Sequence, residues 1–324
     1  MQRTIITALA TADALGKPFE SEKGRDRDRY AWCHDPNNTF LGVDNDTRAA
    51  EYGLGEAGRK PGAWTDDTQM SVALAQSLIA CGGYDPRDAF ARYQAWYRGE
   101  GFGGRARGTG GTIRKALETG APVSMREGGQ YVGNGTAMRV APIGVWYRDD
   151  MPGLIAAARA DARLTHDSPE AEAGSVAVAA AIAASTRRNA GEVSVGWRVW
   201  KDVFAALEHG GSKFVSLRYT AMYSALNGAF GNRDRPSSAI YSRFGDGGYV
   251  VDTVATAMLT GNRAHDFDEC VCDAIEHGGD TDTRAAIAAA IRMARGDVTI
   301  PDRWRDVEMR DELLAIDERL WSRS

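Results

Sequence analysis

Two short segments contain the side chains of this sequence that are best suited to chemistry. The segments WTDDTQM and HGGDTDTR, far apart in the chain, supply Thr65, Asp66, Asp67, Asp280, Asp282 and Thr283. Each set of three offers only oxygen ligands, which suits Mg²⁺, Mn²⁺ or Ca²⁺ better than zinc. Bound water and open coordination positions at such ions are what a hydrolase needs. Together the two segments predict one metal site.

Helix capping is the alternative explanation for both segments. Acidic and hydroxyl side chains at a helix start accept hydrogen bonds from amides that lack a partner in the helix, and they complement the positive end of the helix dipole. One oxygen is enough for a cap, however, whereas each segment groups three ligand side chains. Without a cation the carboxylates would repel one another, so the excess of acidic groups favours the metal site.

Other metal or phosphate motifs fit these residues less well. The nucleophile loop of haloacid-dehalogenase phosphatases follows a hydrophobic strand and has Thr or Val in fifth place, whereas here HGG precedes DTDTR and Arg284 stands fifth. An EF-hand needs a sixth-position Gly and a closing Glu, and both are missing. Cys270 and Cys272, with His277, have no second cysteine pair at matching spacing, so buried structural thiols are the better interpretation than zinc ligands.

Three further segments carry candidate substrate-binding or catalytic groups. Gly133 and Asn134 lie in GGQYVGNGTAMRVAPIG, where glycines before a helix let amides approach a phosphate, although an ordinary turn is the alternative. His166 precedes a helix with Pro169 in its first turn, from which it could reach a phosphate or ribose, although lone histidines are commonly structural. Glu20 is a candidate general base at the edge of an irregular stretch, where most glutamates are merely solvated.

Helical periodicity dominates the elements that must position these residues. The predicted helices cover residues 2–14, 67–81, 86–98, 110–119, 151–163, 169–187, 196–208, 249–260, 266–277, 282–295 and 303–321. Strand-like alternation is nearly absent. The segment PEAEAGSVAVAAAIAAS has small residues on every face, which suits a helix buried on several sides. The pattern predicts an all-α bundle with a crowded centre.

Two irregular stretches, residues 21–63 and 210–247, interrupt the helical pattern. Long irregular segments of this kind are commonly lids or mobile surface. The sequence contains neither a linker rich in Gly, Ser or Pro nor an internal repeat, so residues 1–324 are predicted to form a single domain.

Composition restricts the partners and the compartment. With 39 basic and 44 acidic residues, the formal net charge of −5 gives no general attraction for nucleic acid or for an acidic membrane. Four scattered cysteines suit a reducing, cytoplasmic setting. Asp13 interrupts an N-terminal segment that could otherwise pass for a signal peptide, and no apolar run reaches the ~20 residues of a membrane span.

Six segments together resemble the ADP-ribosylglycohydrolase family, which includes the dinitrogenase-reductase-activating glycohydrolase and the ADP-ribosyl-acceptor hydrolases. They are ADALGKPFE, WTDDTQM, GNGTAMRVAPIG, THDSPEAEAG, GGYVVDTVATAM and GGDTDTRAAIAAAI, which occur in the family's order between residues 12 and 291. The resemblance implies a single-domain orthogonal helical bundle whose central cleft holds two Mg²⁺ or Mn²⁺ ions. The implied ligands are Thr65, Asp66, Asp67, Asp280, Asp282 and Thr283.

The activity that the resemblance implies is hydrolysis of the glycosidic bond between ADP-ribose and an acceptor. It assigns catalysis to Glu20, which matches the family's lid glutamate, together with the metal ligand Asp282. Substrate contacts are assigned to four residues. Gly133 and Asn134 would line the diphosphate pocket, His166 would contact the ADP-ribose, and Tyr249 would lie against the nucleotide.

The acceptor stays open at this point. Arginine on a protein is the default because it is common in the family, and serine, a nucleic-acid base or a small-molecule ester are the alternatives. Members that prefer serine-linked ADP-ribose have a serine and a tyrosine before Gly-Asn-Gly, whereas this chain has Tyr131 and Val132, and Ala12 replaces a glycine of the first motif. A non-catalytic ADP-ribose-binding protein is the alternative from a different class, since relatives have been recruited as lens crystallins.

Overall fold

Helices form nearly all of the regular structure. The computed structural model describes residues 3–20, 26–42, 60–124, 132–187, 195–208, 220–231, 241 and 243–323. Its α-helices are α1 Ile5–Gly16, α2 Asp26–Cys33, α3 Asp66–Cys81, α4 Pro86–Tyr97, α5 Gly111–Thr119, α6 Ala141–Trp146, α7 Met151–Ala162, α8 Pro169–Thr186, α9 Val195–Glu208, α10 Thr220–Gly231, α11 Val250–Arg263, α12 Phe267–Glu276, α13 Thr281–Ala294 and α14 Arg310–Ser322. The predicted all-α class is confirmed.

The remaining regular elements of the described residues are short. Two 3₁₀ helices span Lys17–Phe19 and Asp302–Trp304, and a two-stranded parallel sheet pairs β1 Val123–Ser124 with β2 His166–Asp167. Throughout these described ranges, no helix combines the length and the apolar character needed to span a membrane.

Three helices are not predicted by the hydrophobic periodicity of the sequence, each for a local reason. The prediction of irregular structure is wrong at α2, whose eight residues begin with the charged run DRDR, and at α10, which contains Asn227 and Gly228 of low helix propensity. Helix α6 has only six residues, too few to show a period. The predicted helix over 303–321 is divided, because Met309 adopts a positive φ of 56° before α14 begins. Much of both irregular stretches lies outside the described residues.

The centre of the bundle is made of helices with small side chains. Every residue of α1 is buried, and α8 is buried continuously from Ala171 to Thr186, as its small residues predict. Helix α1 crosses the start of α13 at Gly16, where an added Cβ would lie 2.6 Å from the Cα of Asp282. Because Gly16 has no side chain, the end of α1 and the acidic start of α13 can lie in direct contact.

Helix α1 is fixed at its beginning by a carboxylate from another helix. Thr4 precedes α1 without a side-chain capping bond. Asp317 of α14 takes over this role, since it accepts hydrogen bonds from the amides of Ile6 (2.7 Å) and Thr7 (2.9 Å) and from the Thr7 hydroxyl (2.7 Å). The capping interaction joins the C-terminal helix to the helix that carries Asp13 toward the acidic segments.

Candidate active site

The first acidic segment is held in place by Asp13 of α1. The Asp13 carboxylate accepts hydrogen bonds from the Thr65 amide (3.0 Å), the Thr65 hydroxyl (3.0 Å) and the Thr68 hydroxyl (2.7 Å). Thr65 in turn caps α3 by accepting from the amide of Asp67. Capping at this helix start is therefore performed by Thr65 and Asp13, which leaves Asp66 and Asp67 available for another role.

The second acidic segment forms the start of α13 and is oriented by neighbours from three parts of the chain. Asp280 occupies the N-cap position but makes no side-chain capping bond. Its Oδ2 accepts a hydrogen bond from Nδ2 of Asn134 at 2.6 Å instead. Arg284 is buried and donates from Nη1 to the carbonyl of Gly278 (2.8 Å) and from Nη2 to that of Gly245 (2.8 Å). The fifth-place arginine thus organises the turns before the helix.

Both segments open onto one cleft with a cavity volume of about 230 Å³. Of the eleven predicted site residues, ten line it: Glu20, Thr65, Asp66, Asp67, Gly133, Asn134, His166, Asp280, Asp282 and Thr283. Carboxylate oxygens of Glu20, Asp280 and Asp282 lie within 4.8 Å of one another, an arrangement that could hold a metal ion. Residues from distant parts of the sequence are therefore neighbours in space.

Tyr249 is the predicted residue that the described lining of this cleft does not include. Its backbone pairs with Gly133 in an antiparallel bridge, and the amide of Val250 donates to the carbonyl of Val132 at 3.0 Å. Tyr249 thus supports the Gly133 backbone from behind, and its ring is half-buried. Tyr131, the neighbouring departure from the serine-specific pattern, lies outside the described residues.

Acidic side chains outnumber cationic ones along the described lining of the cleft. Burial raises the pKa of Asp66, Asp67 and Asp282 well above the usual value, and repulsion from neighbouring carboxylates adds to the shift. Among the described lining residues Lys17 is the only cation, and burial lowers its pKa to about 8. Oδ1 of Asp67 is buried and has no hydrogen-bond partner among the described residues. An all-oxygen donor set with an unsatisfied buried carboxylate oxygen fits a divalent cation.

His166 presents a hydrogen-bond donor to the other side of the cleft. Its Nδ1 lies 2.8 Å from the Thr165 hydroxyl, which accepts from the buried Arg139 at 3.0 Å. The Thr165 hydroxyl can satisfy both contacts by donating its own hydrogen to Nδ1. Burial, with Arg139 adding to it, lowers the pKa of His166 to about 3, so the ring is neutral. Nε2 then carries the remaining hydrogen, near Gly133 at the cleft wall.

Comparison with known proteins identifies the architecture around this cleft. Residues 3–324 match the family model described as ADP-ribosylglycohydrolase. The chain belongs to the ADP-ribosylglycohydrolase family. Membership confirms the resemblance carried by the six sequence segments, and it supports the hydrolase class.

Named relatives and a solved structure agree with this family. The chain is 27% identical over 253 residues to the ADP-ribosyl-dinitrogen reductase glycohydrolase of Rhodospirillum rubrum, covering 76% of this chain and 73% of that protein. It is 26% identical to an ADP-ribosylarginine hydrolase of Serratia proteamaculans, and the alignment covers 79% of this chain and 66% of that protein. A solved structure titled ADP-ribosylglycohydrolase-related protein complex superposes with a TM-score of 0.67 and 26% sequence identity. The superposition covers 100% of this chain and 98% of that one.

A glycine-rich loop that is not among the predicted site residues forms part of the wall of the cleft. Gly108, Gly110, Gly111 and Thr112 line it, immediately before and within the start of α5. Gly108 has a φ of +72°, and an added Cβ there would lie 2.8 Å from Oδ1 of Asp66. The signal was present in the sequence GTGGT, since several glycines before a helix without a capping side chain allow close approach of the backbone.

Burial of His166 predicts a pH dependence of stability. The unfolded chain protonates this residue near pH 6.5, whereas the folded protein keeps it neutral to about pH 3. Stability from this group is therefore present above pH 6.5 and is lost as the pH falls toward 3, because only the unfolded state gains the proton. Between pH 7.5 and 5, we expect wild-type protein to lose about 2 kcal/mol more unfolding free energy than His166→Asn.

Urea unfolding at both pH values measures this difference. His265→Asn, at an exposed histidine, is the matched control and should keep the wild-type pH slope. Equal slopes for wild type and His166→Asn would show that His166 takes up a proton in the folded protein as readily as in the unfolded chain.

Proposed function

We infer that this chain is a metal-dependent hydrolase that cleaves the glycosidic bond between ADP-ribose and an acceptor, with ADP-ribosylated arginine on a protein as the first candidate. The observation that carries the proposal is the meeting of two acidic helix starts and Glu20 in one cleft, where Oδ1 of Asp67 is buried and has no hydrogen-bond partner in the part of the chain that the structure describes. Such an arrangement is costly for the folded protein unless a cation compensates it. Family membership supplies the chemistry of the bond that is cleaved.

Two Mg²⁺ or Mn²⁺ ions are the proposed cofactors. The residues that would hold them share oxygen ligands and positions on the cleft wall, and they are Thr65, Asp66, Asp67, Asp280, Asp282 and Thr283. When bound, the ions would activate a water molecule as Lewis acids and would orient the ribose through its hydroxyl groups. Asp13 would act as a positioning residue, since it binds Thr65 and Thr68 and does not line the cleft in the described structure.

Glu20 is the proposed general base. Hydrolysis at the ribose carbon has an oxocarbenium-like transition state, so the enzyme must orient the ribose and bring a deprotonated water to its free face. The Glu20 carboxylate lies within 4.8 Å of ligand oxygens of Asp280 and Asp282, where it can accept a proton from that water.

The opposite wall would bind the ADP-ribose. Nε2–H of His166 is a donor for a substrate oxygen, and the backbone at Gly133, which lines the cleft, leaves room for close approach. Asn134 uses its two Nδ2 hydrogens on Asp280 (2.6 Å) and Thr253 (3.1 Å). We propose that Asn134 couples the substrate wall to the metal wall by orienting Asp280, with its side-chain oxygen left as an acceptor.

Arginine is proposed as acceptor because the hydrolase of Serratia proteamaculans with which this chain aligns over 79% of its length is named for ADP-ribosylarginine. The test is release of free ADP-ribose from an arginine-ADP-ribosylated protein with Mg²⁺, with Mn²⁺ and with chelator, next to a serine-ADP-ribosylated protein. Metal-dependent release from the arginine substrate is expected. Release from the serine substrate alone would overturn the acceptor assignment. No release from any conjugate, while ADP-ribose raises the melting temperature, would indicate a binding protein.

A further inference from the structure

Two cysteines that are far apart in sequence face each other on the outer side of α2. Cys33 is the last residue of α2, and Cys272 lies in α12. The Cys33 thiol lies 3.8 Å from the carbonyl oxygen of Cys272, and the Cys272 thiol lies 3.5 Å from that of Cys33. Reciprocal contacts of this kind require the two residues to sit side by side. Both are half-buried, so a small reagent can reach them.

The pair lies between two segments that each lead along the chain to a residue of the cleft. Trp32, next to Cys33, packs against Phe19 with ring centroids 5.3 Å apart, and Phe19 directly precedes Glu20. On the other side α12 leads through Gly278 and Gly279 into the acidic start of α13. A covalent link between α2 and α12 would therefore restrain the helix that supports Glu20 against the segment that carries Asp280 and Asp282.

We propose that Cys33 and Cys272 are a redox modification site that forms a reversible disulfide with a low-molecular-weight disulfide as oxidant, and that this bond fastens α2 to α12. In the first step the Cys272 thiolate attacks one sulfur of glutathione disulfide, which forms a mixed disulfide and releases glutathione thiolate. Cys33 then attacks the Cys272 sulfur, loses its proton and displaces the second glutathione. Two protein thiols become one disulfide, and one glutathione disulfide becomes two glutathione thiols.

The surroundings make this exchange slow and selective. A hydrogen bond that the Cys33 thiol donates to the Cys272 side chain, together with burial, raises the pKa of Cys33, so Cys33 holds its proton at neutral pH. A thiol of raised pKa attacks slowly, which assigns it to the second, intramolecular step. The other cysteines serve as internal controls, because Cys270 is buried and Cys81 is exposed on α3. Neither cysteine belongs to a metal-binding cluster, because among the described residues Glu20, Asp280 and Asp282 form the one set of three or more His, Cys, Asp or Glu side chains that could hold an ion together.

Peptide mapping after incubation with glutathione disulfide, without reductant, tests the proposal. A linked pair of peptides containing Cys33 and Cys272 is expected in wild type and in Cys81→Ser, and it should disappear with dithiothreitol. Because the bond closes a loop of more than 200 residues, the oxidised protein should melt roughly 5 °C higher than the reduced one. Hydrogen exchange of the α2 amides should slow on oxidation in wild type and stay unchanged in Cys33→Ser and in Cys272→Ser.

Detection of glutathione on Cys81 alone, with no linked peptide, would overturn the site. A linked peptide without slower exchange in α2 would overturn the restraint on this helix. Cys33→Ala, which leaves a smaller side chain than Ser and no hydroxyl, guards against an effect of the serine itself. None of these measurements uses an ADP-ribose conjugate, so they stand or fall independently of the proposed hydrolase activity.

Discussion

Asp282→Asn is expected to lower metal-dependent release of ADP-ribose by about a thousandfold, because loss of one ligand carboxylate removes several kcal/mol of transition-state stabilisation. Asp282 lies in the first turn of α13, is buried, and has an oxygen within 4.8 Å of those of Glu20 and Asp280. Asparagine keeps the shape and one oxygen but removes the charge that would hold a cation. Turnover with saturating Mg²⁺ and Mn²⁺ measures the loss.

The same substitution should leave the fold intact. In the metal-free protein, burial and the carboxylates of Glu20 and Asp280 raise the pKa of Asp282, so its charged form is disfavoured in the folded state. Removing that charge should raise or maintain the melting temperature without metal, while the increase that Mg²⁺ gives the wild type should shrink. A lower melting temperature in chelator would assign Asp282 a capping role instead.

Asp311→Asn is the matched control for Asp282→Asn. Asp311 also lies in the first turn of a helix, α14, but it is exposed and does not line the cleft in the described structure. Turnover and the response to Mg²⁺ should equal those of wild type. Full turnover in Asp282→Asn with the metal still required would contradict the proposed ligand set.

The sequence is most informative where the proposed ligands are neighbours along the chain. Thr65, Asp66 and Asp67 are consecutive, so an excess of oxygen ligands at a helix start is visible without coordinates. Asp13 was not recognised as a positioning residue, because its partners Thr65 and Thr68 become neighbours only when α1 packs beside α3. The general lesson is that a candidate ligand set can be proposed from local sequence, whereas the residues that orient it depend on tertiary contacts.

Arg284 is a second residue whose role depends on tertiary contacts and cannot be predicted from local sequence. In the sequence it appeared only as a departure from a phosphatase loop, whereas in the structure its buried guanidinium binds the carbonyls of Gly245 and Gly278. The stretch around Gly245 was predicted to be irregular, and no periodicity indicates that a distant arginine organises it. Gly279, with a φ of +69°, has no space for a Cβ against the carbonyl of Asp246, which explains the glycine but could not be inferred from its neighbours.

Glu20→Gln is expected to slow hydrolysis by a factor of about 10² to 10⁴, the usual contribution of a general base. Glu20 has two possible roles, since its oxygen lies close enough to those of Asp280 and Asp282 to share a cation with them. Replacing a general base leaves metal affinity unchanged, whereas replacing a metal ligand weakens it. We expect the increase in melting temperature with Mg²⁺ to be the same in Glu20→Gln and wild type, while the rate of ADP-ribose release falls at every Mg²⁺ concentration.

Glu312→Gln, at an exposed residue in the first turn of α14, is the control and should change neither quantity. The pH profile adds a readout that a purely structural role would not move. Loss of the base should change the shape of the dependence of kcat on pH, whereas a mere loss of positioning would lower kcat and keep the profile. Weaker Mg²⁺ binding in Glu20→Gln would make Glu20 a ligand and assign the proton acceptor to another residue of the cleft; unchanged turnover would exclude both roles.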